Sequence, residues 1–508
     1  MRGRIISMPS SQQICSLRIL SLRRKCVLGK LVLKFCLLSL LFLFFCFNIP
    51  KLYAQTMDVN IGNLPAIRVA EPGKPKSKLG KNSSPAFITP QALFPTGFGA
   101  LSWLRKQGVN ILVQNTNEFA GALYDPTPGF PQYKRGGSNA GQLSESLDID
   151  WSKLAGLTGF ATHAVTVGRY GTTANRMFGD WLNHSSEDYG GGGNVAVHLV
   201  YAYGEETLYH QRIAIAAGLM GEMGSFQSSP LFCNFMNNSM CGRPKAATDS
   251  PYASGYPASV WSGRIRVRPT AHTYAQVGAF AAEEGLYQNI QHRTGFKFNG
   301  ATIKGVRLPL EIGYEPVFRG VLEGHYKIGG LWQHAPLPSD YYNNNGQSYA
   351  LTGTKPENVE DTYAAWFMAD QKIWTHYHDK RRGLIFLTGF QWNDPRVSLR
   401  NWEVYGAFID RGIFKSRPYD SLDFSFTHQG IAPGVSGTEA ILLNKGEELP
   451  NHATGIQTKT SILELNYEFS LGRGLIIEPV FEYYFNPNGQ RNLRNAAMLG
   501  FKSTWEIF

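Results

Sequence analysis

Sixteen segments of this chain alternate apolar and polar residues with a period of two, and the gaps between them alternate long and short. The segments are 109–121, 142–151, 156–167, 192–203, 209–223, 256–268, 271–281, 306–315, 321–333, 361–374, 382–392, 400–411, 420–429, 458–471, 474–485 and 494–508. The gaps begin 20, 4, 24, 5, 32, 2, 24, 5, 27 and 7 residues, then weaken to 7, 8, 28, 2 and 8. Such a sheet has tight turns on one rim and long loops on the other. Membrane barrels with short inner turns and long outer loops are built this way. An even strand count puts both termini on the same rim.

The clearest pair is Ser461–Phe469 and its partner after the turn Gly472-Arg473. Leu463, Leu465, Tyr467 and Phe469 point one way, Glu464, Asn466 and Glu468 the other. In the partner, Ile477, Phe481, Tyr483 and Phe485 oppose Glu478 and Glu482. Period two with one apolar face is a half-buried strand. Pro479 lacks a ladder donor, so a bulge or an unpaired position is expected there. Val195, Val197, Leu199, Tyr201 and Tyr203 read as one face opposite His198. Ile265 and Val267 oppose Arg264, Arg266 and Arg268.

Segments of ten to fifteen residues suit a tilted bilayer crossing, whereas soluble sandwich strands average about five or six. Open edges are not tolerated in lipid, so the sheet must close. The fold expected is therefore all-β: a transmembrane antiparallel β-barrel of about 16 strands with long extracellular loops. A lumen wide enough for water would let the charged face stand without a packed core. One short helix, Leu101–Lys106, precedes the first strand. The terminal Phe508 shares its parity with Lys502 and Glu506, while Leu499, Phe501 and Trp505 take the other face; a bulge near the end would reconcile them.

Residues 1–54 read as a secretory signal peptide, with a basic start, an apolar core Leu37–Phe47 and Leu52-Tyr53-Ala54 before the cleavage point. The basic region is long enough for translation to start at Met8 or later. The alternative, a membrane anchor, is disfavoured because Lys34, Asn48 and Pro50 interrupt a short run. Residues 55–97 form a Pro/Lys/Ser-containing flexible leader, and 98–508 the barrel. Cleavage removes nine of the 49 Lys/Arg and leaves 40 against 38 Asp/Glu, a net charge near +2. The +11 of the full chain therefore gives no reason to expect a nucleic-acid partner. Four of the six cysteines leave with the signal; Cys233 and Cys241 remain in the longest loop, where an oxidising compartment favours a disulfide.

Several ordered stretches resemble the carbohydrate-selective porin family. Leu101-Ser-Trp103-Leu-Arg105-Lys-Gln-Gly108 is similar to that family's short helix entering its first strand. Gly255-Tyr256-Pro257-Ala-Ser259-Val-Trp261 with Gly263, Arg266 and Pro269 resembles its loop-to-strand signature. Gly383-Leu384, Phe386, Gly412, Arg417-Pro418 and Asp420 resemble a later block, and Glu478-Pro479 to Asn486-Pro487-Asn488-Gly489 the penultimate strand and final loop. The resemblance covers most of 98–508 and implies a sixteen-stranded outer-membrane channel for sugars, narrowed by inward-folded loops. The leader and the C-terminal parity depart from it.

Sugars are neutral polyols with apolar faces, so a selective channel needs hydrogen-bonding groups and aromatic surfaces at a constriction. Arg264, Arg266 and Arg268 form a ladder on the lumen face; Glu464, Glu468, Glu478 and Glu482 form an acidic group on two adjacent strands. The bland alternative is that these charges merely face water. Trp181, mid-loop, is a candidate for stacking on a sugar; Trp261 and Trp332 equally fit a lipid-interface girdle. His376-Tyr-His378-Asp379 reads as a solvated turn rather than a metal site.

No HExxH, Walker loop, CxxC or GxSxG is present. The expectation is a passive outer-membrane porin, not an enzyme, needing no cofactor and no metal. Its partners are carbohydrate solutes and outer-membrane lipid. Homo-oligomer formation is left open, because a lipid-facing surface and a subunit interface are both apolar. The competing classes are a general diffusion porin, a lipase-like barrel hydrolase and a secreted sugar-binding β-protein. Whether the longest loop enters the lumen is not decided by the sequence.

Overall fold

The computed structural model describes residues 92–189, 194–286 and 294–508. The signal and nearly all of the leader lie outside these residues, as does the Gly190–Gly193 run.

The strands are β1 Val109–Ala122, β2 Gly137–Asp150, β3 Phe160–Gly171, β4 Val195–Leu208, β5 Ile213–Met220, β6 Val260–Thr270, β7 Thr273–Glu283 and β8 Ile303–Tyr314. They continue as β9 Val317–Phe318, β10 Leu322–Asn343, β11 Pro356–Thr375, β12 Gly383–Asn393, β13 Arg400–Arg411 and β14 Ser421–Ile431, then β15 Lys459–Gly472, β16 Leu475–Phe485 and β17 Ala496–Glu506. The two-residue β9 is a side piece of the β8–β10 turn, so sixteen strands build the wall. Each pairs antiparallel with the next. The ring closes where β1 meets β17, from Gln114 opposite Glu506 to Ala122 opposite Met498. Closure leaves no sheet edge, the condition a membrane imposes.

The long connections 123–136, 172–194, 221–259, 284–302, 344–355, 394–399, 432–458 and 486–495 all fall on one rim. The tight ones, including the turn Arg473-Gly474 with both residues at positive φ (50° and 74°), fall on the other. The chain enters β1 and leaves β17 on that tight rim. There, a helix Ala100–Lys106 leads in, and the backbone of Leu93 and Phe94 bonds to Glu506 and Ile507.

Period two sorts the side chains. Phe386, Phe408, Phe424, Leu465, Phe481 and Leu499 lie directly opposite one another on successive strands. Phe408 and Leu465 are 44% exposed, and Leu499 is 51% exposed, all on the outside. A continuous apolar belt of this kind is stable only against lipid. Residues of the opposite parity on these strands point inward and are buried: Glu403, Asp423, Glu464, Glu482 and Lys502. Positions 478 and 479 are both skipped in the β15–β16 pairing without a register shift, while Pro479 stays opposite Phe501 in the β16–β17 ladder, so Pro479 is unpaired on its β15 side alone.

Four details differ from the sequence reading. In β4 a register shift between Val165/Thr166 and Tyr201/Leu199 flips the parity. Val197 stays outside, while Tyr201 and Tyr203 turn inward and are buried with His198. Second, no bulge interrupts β17 in either ladder; the strand ends at Glu506, and Phe508 stands beyond it against Phe94, ring centroids 6.2 Å apart. Third, a helix Pro433–Lys445 occupies the 432–458 connection, with proline in its first turn and Gly446 at φ 71° as its stop. Fourth, the lumen does hold a packed core. Leu231, Phe232, Phe235 and Met240 of the 221–259 connection pack on inward Met368, Ile385, Leu387, Tyr405 and Ile409.

Candidate functional site

The 221–259 connection folds into the barrel and is held there by polar side chains of the wall. Glu311 on β8 takes four donors: Tyr274 Oη at 2.8 Å, Gln276 Nε2 at 2.9 Å, the Gln227 backbone N–H at 2.9 Å and Trp366 Nε1 at 3.0 Å. Glu403 on β13 accepts the Ala246 N–H at 2.7 Å, and Glu464 on β15 accepts those of Met236 and Asn237 at 2.7 and 2.8 Å. Charge-assisted bonds to backbone N–H groups are strong, and they fix the loop's path without any sheet. Arg307 on β8 forms a buried ion pair with Glu222 at the loop's start. Cys233 and Cys241 are joined, closing its tip.

Beside this tip a solvent-open cavity of about 180 Å³ remains. Its barrel wall runs from Arg411 on β13 through Glu468 on β15, Glu478 on β16 and Lys502 on β17 to Gln114, Thr116 and Glu118 on β1 and Gln142 and Ser144 on β2; the disulfide of the loop tip completes the lining. Glu187, Asp188 and Tyr256 border it from two loops. Arg169 ties this edge together: its Nε donates to Gln142 at 3.0 Å, its guanidinium lies 3.7 Å from Glu187, and it covers the Tyr256 ring at 5.2 Å. The Asp188 N–H donates to Glu118 at 3.0 Å. Burial, and then the neighbouring Glu187, hold the Asp188 carboxyl well above the usual carboxylate range. Deeper in the loop, burial pulls the Lys245 ammonium down to about 8. The cavity thus presents donors and acceptors together along its lining, an arrangement that can exchange hydrogen bonds with a passing polyol.

Of the residues singled out from sequence, Glu468, Glu478, Cys233 and Cys241 border this cavity. Glu464 serves the loop N–H groups, and Glu482 accepts from Tyr484 Oη at 2.8 Å. Arg264, Arg266 and Arg268 share the inner face of β6 but are not among the cavity's lining. Arg264 pairs with Glu205, Arg266 Nε donates to Gln276 at 2.8 Å, and Arg268 meets Glu315 at 2.7 Å. Arg266 and Arg268 also cover the Tyr274 ring at 5.1 and 5.4 Å. Trp181 sits at the long-loop rim, stacked on His452 at 4.0 Å with Arg176 at 4.7 Å from its ring. Trp261 and Trp332 are outward-facing and exposed. His376 lies in a tight-rim turn near Asp410, and among the described residues no group of His, Cys, Asp and Glu could hold a metal.

Sequence reasoning did not single out Glu118, Arg169, Glu187, Asp188, Tyr256 or Arg411 for this cavity. The inward parity of Glu118 along β1 was a usable signal. Glu187, Asp188 and Tyr256 lie in loops, where no periodicity reports direction.

A family model described as carbohydrate-selective porin, OprB family, matches residues 134–507. Porin B of Pseudomonas aeruginosa is 25% identical over 311 residues, which is 59% of this chain; the chain spans 65% of that relative's length. The high-pH structure of Pseudomonas putida OprB is similar with a TM-score of 0.76 and 22% identity, covering 82% of this chain and 99% of that one. That likeness is one of fold.

Proposed function

From the premise that this chain belongs to the carbohydrate-selective porin family, we propose that it is an outer-membrane channel through which mono- or small oligosaccharides diffuse passively. The observation that carries the reading is the 221–259 loop, which folds into the lumen and leaves beside it an open cavity bordered by charged and polar side chains. The long-loop rim faces outward and the tight rim the periplasm. Diffusion needs no cofactor, and the family is one of channels rather than enzymes.

Within the cavity, Glu468 and Arg411 face the solute, with Gln114 and Gln142 further along its lining, while Glu478, buried and paired with Lys502, backs the wall. Planar or bidentate groups such as Arg411 suit vicinal hydroxyls. Glu464, and Glu482 through Tyr484, act one step back by holding the loop, while Arg264, Arg266 and Arg268 are paired with wall residues and set the field across the bore. Trp181 acts at the outer mouth, where its ring already stacks on His452.

Liposome swelling tests the proposal. Vesicles holding the refolded protein should swell faster in hexose than in an uncharged non-sugar solute of equal size. Equal rates for the two would leave a general diffusion porin.

A further inference from the structure

The loop tip is held from two sides by groups of opposite sign. Glu464 receives its backbone N–H groups at residues 236 and 237. Lys502, on the closing strand β17, receives its carbonyls: Nζ donates to Cys233 O at 3.0 Å and Phe235 O at 3.2 Å. The same ammonium pairs with Glu478 Oε2 at 3.0 Å. An ammonium has three N–H donors, and all three are used. Lys502 is 7% exposed and, with Glu478, Asn234 and both cysteines, borders the cavity. Those carbonyls lie on either side of Asn234, in the stretch the disulfide closes.

We propose that Lys502 is a positioning residue for permeation: it holds the disulfide-closed tip of the 221–259 loop against the β16–β17 wall and so sets the bore between that tip and β1–β2. This rests on the reading that the cavity is the solute path. Without the ammonium, two loop carbonyls and a buried carboxylate lose their partner together, and burial without a partner is unfavourable for each. The tip then relieves this by moving toward water, which the open cavity lined by Cys233, Asn234 and Cys241 supplies. A carboxylate wall alone cannot replace Lys502, since Glu464 can accept but not donate.

The test is single-channel recording of Lys502→Met, Lys502→Arg and the unaltered protein, with sugar titrated on one side. Heat-modifiable gel mobility reports the folded barrel separately. Lys502→Met is expected to change open-channel conductance by about twofold or more and to raise the half-blocking sugar concentration, because bore width governs both. Lys502→Arg, which keeps a cation and several donors, should restore most of both values. A purely structural lysine would alter yield and heat stability while leaving conductance and block unchanged in the folded fraction; that result overturns the proposal. If Lys502→Met does not fold, Lys502→Gln, with one amide for two carbonyls, must show altered conductance, and a wild-type value overturns it equally. If the unaltered channel conducts but no sugar blocks it, the sugar reading fails while the conductance comparison still decides the role of Lys502.

Discussion

Arg307 donates from Nη2 to Glu222 Oε1 at 3.0 Å, and both side chains are 1% exposed. This pair ties the first residues of the lumen loop to β8. Removing one partner strands the other charge in a buried site, a loss of about 3–5 kcal/mol. Arg307→Ala should therefore loosen the loop start more than the double change Arg307→Ala/Glu222→Ala does. Urea refolding of the four proteins in a mutant cycle measures the coupling. Additive effects would show that the pair does not act as a unit.

The solute-facing and supporting groups should separate in sugar block. Arg411→Ala is expected to raise the half-blocking sugar concentration about tenfold or more, the loss of one charge-assisted hydrogen bond of about 1.5–3 kcal/mol. Arg266→Ala should weaken block less, because Arg266 is held by Gln276 and lies outside the cavity's lining. Titration of each variant in planar bilayers checks the order, and the reverse order would move the sugar path to the β6 wall.

The disulfide should steady the loop and leave the barrel intact. Cys233 and Cys241 are eight residues apart, and closing a loop of that size contributes about 2.5 kcal/mol in the chain-entropy account. The barrel itself is held by strand ladders that the bond does not touch. Cys233→Ser/Cys241→Ser should retain heat-modifiable mobility but show noisier open-channel current. Identical current noise with and without the bond would count against it.

Glu439 gives a pH dependence at the outer rim. It lies in the Pro433–Lys445 helix, accepts the Gln457 N–H at 2.7 Å, and burial pushes its carboxyl up to about 7. A folded value above the unfolded one means stability is fully present below the unfolded pKa and is lost as pH rises through the folded one. Between about pH 4.5 and 7 this helix should therefore loosen progressively. Hydrogen exchange across 433–445, corrected for intrinsic rate, should show weaker protection at pH 7.5 than at pH 5. Glu439→Gln should flatten the difference.

The barrel was legible because its signal is local. Period two on Ile462–Phe469 and on Ile476–Phe485 needs only neighbouring residues to be read, and the two-residue turn at Arg473-Gly474 fixes their pairing. Local exceptions were harder. Asp150 caps a five-residue helix Trp151–Ala155 by accepting the Ser152 N–H, which moves β3 to Phe160 rather than 156. The β4 bulge inverts Tyr201 and Tyr203 in a run that reads as unbroken alternation. The Pro433–Lys445 helix has sequence stops but no apolar stripe, so period 3.6 did not reveal it. The path of the lumen loop depends on Glu311, Glu403, Glu464 and Lys502, all distant in sequence, and no local pattern reports such contacts. Glu464 reads as a pore charge from sequence because its inward direction is visible and its partners, the N–H groups of Met236 and Asn237, are not.

The central claim is that this barrel is a sugar-conducting pore narrowed by its own loop. Single-channel recording in planar bilayers with hexose added to one side tests it most directly. The account predicts discrete ion-conducting openings whose current falls in a saturable way as sugar is added. Folded protein that opens no pore, or a pore whose current ignores sugar at every concentration, would contradict it.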